Sequence, residues 1–154
     1  MTLNIRQADV NDIKSVKEIT KAAFKEYAKK ACPEAAKSAL TETDDDIQKD
    51  IETKYVSLAF LEDTAIGSLR IDSDGDVAYL SRFGVLPGYR SSGCGRLLLE
   101  NAFKKLKDNG VKKLYLHTAS KASTLMRFYY GRGFYVESVD TSRGYIRVKM
   151  IKEI

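Results

Sequence analysis

One stretch decides the fold of this chain: Val85-Leu86-Pro87-Gly88-Tyr89-Arg90-Ser91-Ser92-Gly93-Cys94-Gly95-Arg96. It joins an apolar run typical of a β-strand to the start of an amphipathic helix. Gly93 and Gly95 allow a tight turn and a close approach of the backbone to a ligand. The first amides of a helix have no partner within it, and the helix dipole, Arg90 and Arg96 add positive charge. The stretch therefore predicts an anion site, most naturally for a phosphate group.

Two other kinds of phosphate loop do not match this sequence. A P-loop requires Gly-x-x-x-x-Gly-Lys followed by Ser or Thr, and the chain has no such run. A dinucleotide-binding fingerprint requires a third glycine where Leu98 stands. The loop therefore belongs to another class of phosphate site.

Apolar periodicity predicts how the rest of the chain is organised. We expect strands in the runs Leu3–Gln7, Tyr55–Leu61, Ala65–Ile71, Val77–Val85, Lys112–Thr118, Phe134–Val139 and Tyr145–Met150. Asp9 is a good N-cap for a helix that reaches about Lys30, and Asp44 begins another. The stretch from Pro33 to Thr43 stays open, with a short helical turn as one interpretation.

Composition restricts the class of protein. The chain has 154 residues, 44% of them apolar, which is enough for one domain with a real core. Its 26 cations and 21 anions give a net charge of +5, and the cations are scattered, so we expect no nucleic-acid partner. No run suits a membrane span or a signal peptide. Cys32 and Cys94 lack metal or redox spacing, so we expect a cytoplasmic protein without a metal.

The pattern Arg90-x-x-Gly93-x-Gly95 resembles the pyrophosphate loop of the GNAT family of N-acetyltransferases. Val85-x-Pro87 before it and Phe128-Tyr129-Tyr130-Gly131-Arg132-Gly133-Phe134 after it strengthen the resemblance, which covers nearly the whole chain. The resemblance implies a single N-acetyltransferase domain over residues 1–154. It also implies an α+β fold in α/β/α layers: a mixed, mostly antiparallel sheet of six to seven strands, flanked by about four helices, with splayed fourth and fifth strands.

The resemblance implies acetyl-coenzyme A as the donor and co-substrate. Backbone groups of Phe83 and Val85 would then pair with the pantetheine arm. The diphosphate would lie on the loop residues Arg90, Ser91, Ser92, Gly93, Cys94, Gly95 and Arg96. Gly84 interrupts the preceding strand, which suggests a bulge or a close backbone approach, although a simple strand end is the alternative.

Tyr129 matches the tyrosine that lies near the coenzyme sulfur in many members of this family. A phenol with a pKa of about 10 can give a proton to a departing thiolate with a pKa of about 8.5, so Tyr129 is the candidate general acid. The alternative is that Tyr129 only packs in the core.

The base is less well defined. Some GNAT members carry a glutamate on the fourth strand, where this chain has Leu80-Ser81-Arg82-Phe83. Deprotonation through water is the default expectation, and His117, the only histidine, is the alternative. Ala122 replaces an asparagine that contacts the coenzyme arm in many relatives. Cys94 has no readable Cys-His arrangement, so we do not expect it to be a nucleophile.

The acceptor implied by the resemblance is a primary amine that attacks the thioester directly. Asp44, Asp45 and Asp46 either cap a helix or attract a small cationic amine. A peptide or protein amine, a longer acyl donor and a non-catalytic coenzyme-A sensor stay open. A homodimer through the hairpin from Phe134 to Met150 is also open. We expect the segment from Tyr27 to Tyr55 to select the acceptor.

Overall fold

The computed structural model describes residues 2–154, which form one seven-stranded sheet with five α-helices. The strands are β1 (Leu3–Gln7), β2 (Tyr55–Leu61), β3 (Thr64–Asp74), β4 (Val77–Val85), β5 (Lys113–Ala119), β6 (Tyr135–Asp140) and β7 (Arg147–Glu153). The helices are α1 (Ile13–Lys30), α2 (Pro33–Leu40), α3 (Asp44–Thr53), α4 (Cys94–Asp108) and α5 (Ser123–Tyr130). Short 3-10 turns at Val10–Asp12 and Arg90–Ser92 precede α1 and α4.

The sheet has the order β1-β2-β3-β4-β5-β7-β6. Only β4 and β5 are parallel, and every other neighbouring pair is antiparallel. The predicted mixed, mostly antiparallel sheet is therefore confirmed. The last strand, β7, lies between β5 and β6 rather than at the edge.

The parallel strands β4 and β5 pair only at their beginnings. Their register runs from Val77 opposite Lys113 to Tyr79 opposite Tyr115 and then stops, although β4 continues to Val85 and β5 to Ala119. The predicted splay is therefore present. It leaves backbone groups on both facing edges free of their usual sheet partners.

The two faces of the sheet are covered by different helices. On one face, Leu98, Leu99 and Ala102 of α4 are fully buried against strand residues such as Leu114 and Leu116. Each buried leucine contributes about 2 kcal/mol by leaving water. On the other face, α1 and α3 pack on β2 through Val16, Ile19, Ile47 and Ile51.

Two capping boxes fix where the helices of the second face begin. The Asp9 side chain accepts the amide N–H of Asn11, and Asp12 accepts the amide N–H of Asp9, which confirms Asp9 as a cap. At α3, Thr43 and Asp46 form the same reciprocal pair. The acids of this region thus stabilise the helix start, as the dipole favours.

The bulge in β4 lies beside Gly84 rather than at it. Arg70 of β3 faces Ser81 and Ser68 faces Gly84, so two residues, Arg82 and Phe83, stand opposite one. Arg82 takes a left-handed φ of 50°. Gly84 has a different reason: a Cβ there would lie 2.6 Å from the Cβ of Ala23 on α1. The sequence signal therefore marked a close helix approach next to a bulge.

A buried ion network ties the connection between α2 and α3 to the sheet. Arg70 is only 1% exposed and donates to both oxygens of Glu42, at 2.6 and 2.9 Å, and to Asp50 at 2.9 Å. Arg82 donates to the same Glu42 carboxylate at 3.3 Å. The network thus joins Glu42 of this connection and Asp50 of α3 to the bulge in β4.

Candidate active site

A cleft of about 1170 Å³ opens where β4 and β5 separate. Its walls come from both strands, from α1 and α2, from the start of α4, from α5 and from the segment before β7. This volume suits a ligand of substantial size, since small-molecule sites are mostly of about 300–1,000 Å³. The cleft brings together the lining residues predicted from sequence: Phe83, Gly84, Val85, Arg90, Ser91, Gly93, Gly95, Arg96, His117, Ala122 and Tyr129.

One end of the cleft is the start of α4. Gly93 has a φ of 85°, which a side chain would strain, and it turns the chain from the 3-10 turn into the helix. A Cβ on Gly95 would lie 3.2 Å from the Phe83 ring, so only glycine leaves this backbone open. The first intrahelical bond runs from Leu97 N–H to Gly93 O, so the helix bonds leave the N–H groups of Gly95 and Arg96 to a ligand. The predicted anion cradle is consistent with this geometry.

The two loop arginines have different surroundings. Arg90 donates to the Val85 carbonyl at 3.2 and 3.3 Å and forms an ion pair with Glu26 of α1 at 3.0 Å. It therefore closes the loop onto β4 and α1, a role that the sequence did not indicate. Arg96 is exposed and meets only Glu100, at 3.5 Å on the surface of α4, so its guanidinium is free to turn to an anion.

Two predicted loop contacts lie outside the cleft wall. Ser92 accepts the Cys94 amide at 3.2 Å and donates to the Tyr89 carbonyl. The Cys94 thiol is fully buried against Gly67, and burial raises its pKa to about 11. Neither side chain lines the cleft. The Cys94 side chain therefore packs in the core, and its raised pKa disfavours the thiolate that a nucleophile requires.

Tyr129 lies at the inner end of the cleft, where it is 4% exposed. Its ring packs against Phe83 and Phe134, with centroids 6.2 and 5.4 Å away. Burial, with smaller contributions from Tyr27 and Tyr79, raises the pKa of Tyr129. The phenol is therefore held in its protonated form, as a proton donor must be. The ring also packs in the core, as the alternative interpretation expected. Packing of the ring is compatible with a role of the hydroxyl as an acid.

His117 lies in the cleft, with Nδ1 3.3 Å from the Tyr79 hydroxyl. Burial lowers the pKa of His117 to about 4, and Arg147, Lys149 and Arg143 lower it further than Asp140 raises it. The imidazole is therefore neutral at pH 7. A pKa this low makes it a weak base.

The acidic run does not reach the cleft. Asp44 forms an ion pair with Lys17 at 2.7 Å, and Asp46 caps α3 through Thr43. None of Asp44, Asp45 and Asp46 lines the cleft. The capping interpretation is therefore the one that the structure supports.

Sequence reasoning missed several residues of the site. The Tyr27 hydroxyl accepts the Ala119 amide at 2.8 Å, which satisfies a backbone donor at the end of β5. Tyr79 and Arg147 also line the cleft. The only signal in the sequence was the helical spacing of Tyr27 and the position of Tyr79 and Arg147 on strands. Neither signal separates a cleft from a solvent-facing surface.

Two further features bear on the class of protein. Between residues 2 and 154, no set of three or more His, Cys, Asp or Glu side chains is placed to hold a metal ion. In the same range, no helix combines the length and the apolar character needed to cross a membrane.

A mixed sheet whose parallel strands separate beside a helix start with free amides is the architecture of the N-acetyltransferase class that the sequence resembles. The family model described as the acetyltransferase (GNAT) family matches residues 15–134 of the chain. The chain belongs to this family and is an N-acetyltransferase.

Individual relatives agree with this assignment. A spermidine N(1)-acetyltransferase from Thermoplasma acidophilum is 27% identical over 151 residues, covering 92% of this chain and 94% of the relative. The crystal structure of a PaiA N-acetyltransferase from Thermoplasma acidophilum, in complex with coenzyme A, has a TM-score of 0.89 at 26% identity, with both chains fully covered. The ribosomal-protein-S18-alanine N-acetyltransferase of Escherichia coli has a TM-score of 0.81 at 18% identity and shares the fold; 99% of this chain and 94% of that chain are covered.

Proposed function

We propose that the chain transfers an acetyl group from acetyl-coenzyme A to a small cationic amine by direct attack. The observation that carries the proposal is one continuous cleft, which joins the α4 anion cradle to Tyr129. A GNAT relative of similar structure was crystallised with coenzyme A. The relative from Thermoplasma acidophilum that acts on spermidine supports a small amine as the acceptor.

The residues of the cleft have distinct tasks in this proposal. The loop from Arg90 to Arg96 holds the diphosphate, with the Arg96 side chain and the amides of Gly95 and Arg96 as the main donors. The bulge at Phe83 and the strand end at Val85 leave backbone groups for the pantetheine arm. Because the Val85 carbonyl already accepts from Arg90, we assign this pairing mainly to Phe83.

Transfer requires proton movements at the sulfur and at the nitrogen. The amine nitrogen forms a bond to the thioester carbonyl carbon, the carbon–sulfur bond breaks, and the sulfur receives a proton from Tyr129. The nitrogen is cationic after the attack and releases a proton, which returns Tyr129 from phenolate to phenol through water. Burial raises the pKa of Tyr129, and it also raises the pKa of a thiol released beside Tyr129 at the inner end of the cleft. The ammonium form of the acceptor loses its proton to water, because His117 has a pKa of about 4 and holds a proton poorly.

Location and assembly complete the proposal. We place the reaction in the cytoplasm, in keeping with two free cysteines. A homodimer through β6 and β7 is proposed from the position of β6 at the sheet edge, where Tyr135 and Val139 are exposed. Gel filtration with light scattering tests the dimer.

Calorimetric titration with acetyl-coenzyme A tests the donor site. Replacing Arg96 with alanine should weaken binding by about 10-fold or more, the value of a charge-assisted hydrogen bond. The matched control is Lys107→Ala, which removes an exposed cation from the other end of α4. Equal affinities of Arg96→Ala and the native protein would overturn the assignment of the loop.

An amine panel followed by release of free thiol tests turnover. Small amines should release thiol, while preference for a peptide amine would move the acceptor to the protein class. A faster reaction with a longer acyl-coenzyme A would make that compound the donor in place of acetyl-coenzyme A. Binding without any thiol release would indicate a coenzyme-A sensor.

A further inference from the structure

Arg147 is the first residue of β7 and lies opposite Ala119, the last residue of β5. Its half-buried side chain lines the cleft. Within residues 2–154, its guanidinium has neither a hydrogen bond nor an ion pair. A partly desolvated guanidinium normally finds such a partner, so Arg147 needs an explanation.

The other arginines that line the cleft do have partners. Each contacts an acid or an aromatic ring of this chain: Arg82 with Glu42, Arg90 with Glu26, Arg96 with Glu100, Arg143 with Asp140 and Arg132 with the Phe128 ring. Asp140 lies opposite Arg147 on β6, but its ion pair is with Arg143, and none joins it to Arg147. Arg147 therefore differs from its neighbours in having its charge available to a ligand.

Strand alternation places Arg147 on the side of the acceptor. Leu114, Leu116 and Val148 point into the core shared with α4, so Tyr115, His117 and Arg147 point to the opposite face. The donor cradle belongs to α4. The face that carries Arg147 is therefore the one from which an acceptor can reach the thioester.

Positive charge dominates this face. Burial shifts the pKa values of His117 and Tyr79, and Arg147 is the charged group that acts most strongly on both. The acids that line the cleft are Glu26 and Glu34, and Glu26 is already paired with Lys30 and Arg90. A cationic acceptor would therefore gain from a negative group of its own that offsets the charge of Arg147.

We infer that Arg147 binds a carboxylate carried by the acceptor, which makes the acceptor a small zwitterionic amine of the amino-acid class. A guanidinium donates two parallel hydrogen bonds to a carboxylate, and this bidentate geometry also orients the amine that the same molecule carries. The inference rests on the proposed acetyl transfer and narrows its substrate class. Spermidine, the substrate named for the relative, has no carboxylate, so the two substrate classes can be told apart.

Matched amines provide the test. Ornithine and putrescine differ only in a carboxylate, as do lysine and cadaverine. We expect higher kcat/KM for ornithine and lysine, measured by thiol release. Arg147→Gln should lower kcat/KM for these two by about 10- to 100-fold, the value of a lost charge-assisted contact, and leave the KM for acetyl-coenzyme A unchanged. Arg147→Lys should recover part of the loss.

The control is Lys149→Gln, which removes the same charge from the same face of β7 outside the cleft, where Lys149 pairs with Glu137. Lys149→Gln should change kcat/KM little for both amines of each matched pair. Higher kcat/KM for putrescine and cadaverine, or an equal loss for both members in Arg147→Gln, would overturn the inference and leave acetyl transfer intact.

Absence of thiol release with every amine would instead contradict the proposed function. In that case, calorimetry of ornithine with the coenzyme-A-loaded protein decides the inference. Binding that Arg147→Gln abolishes supports it, and absence of binding to the native protein overturns it.

Discussion

Replacing Glu42 with glutamine should destabilise the whole fold, although Glu42 lies in a connection between two short helices. Its carboxylate accepts hydrogen bonds from Arg70 at 2.6 and 2.9 Å and from Arg82 at 3.3 Å. Arg70 is 1% exposed, so its charge has almost no access to water. Glutamine keeps the shape of the side chain but removes the negative charge.

The magnitude follows from what Arg70 retains. Removing one member of a buried ion pair costs about 3–5 kcal/mol, because the remaining charge stays buried without compensation. Asp50 still accepts from Arg70 at 2.9 Å, and Thr20 lies 3.2 Å away, so we expect the lower end, about 3 kcal/mol. A domain of this size loses about 2–4 °C per kcal/mol, which gives a fall in Tm of about 6–12 °C.

Thermal denaturation followed by circular dichroism measures this change. The matched control is Lys17→Gln, which breaks the Lys17–Asp44 pair at 2.7 Å, where the side chains are 32% and 66% exposed. Surface pairs of this kind contribute at most about 1 kcal/mol, so the control should lower Tm by at most about 4 °C. A Tm for Glu42→Gln within about 2 °C of the native value, with an equally steep unfolding transition, would refute the reasoning.

Three further predictions concern the cleft and the first helix. Tyr129→Phe keeps the ring packing and should lower kcat by about 100-fold or more without changing donor affinity; an unchanged kcat in a thiol-release assay would exclude Tyr129 as the acid. His117→Gln should leave kcat within about threefold, since water takes the proton, and a loss of about 100-fold would identify His117 as the base. Asp12→Asn should cost about 1–2 kcal/mol at pH 7. The hydrogen bond from Arg6 lowers the pKa of Asp12 below 3.8, so the contribution of Asp12 to stability is present above pH 3.8 and is lost as the pH falls through the pKa of the folded state. Urea unfolding at pH 7 and at a pH below that pKa should show the difference in unfolding free energy between Asp12→Asn and the native protein becoming smaller at the lower pH.

Much of the fold followed from local sequence signals. Apolar runs predicted every strand, and helical spacing predicted the long helices. Asp9 and Gly93 marked where two of these helices begin. The stretch from Pro33 to Thr43 was harder, because Pro33–Leu40 has only alanines and one leucine as apolar residues. The fifth helix arises there, where about four were expected.

The long-range arrangements were beyond a single sequence. The partners of Arg70 lie between 20 and 50 residues away, and no local pattern connects them. Gly84 could be recognised as special, but its neighbour Ala23 on α1 could not. The acids at Asp44 to Asp46 left both capping and attraction of an acceptor open, because a local run does not show which surface it faces.

The central claim is that this cleft moves an acetyl group to an amine. The most direct measurement is mass spectrometry of the amine panel after incubation with the protein and acetyl-coenzyme A labelled in the acetyl group. We expect one or more small amines to gain a single labelled acetyl group, matched by an equal amount of free coenzyme A, and Tyr129→Phe to slow the formation of both products. Hydrolysis to labelled acetate alone, or no turnover with bound donor, would contradict it.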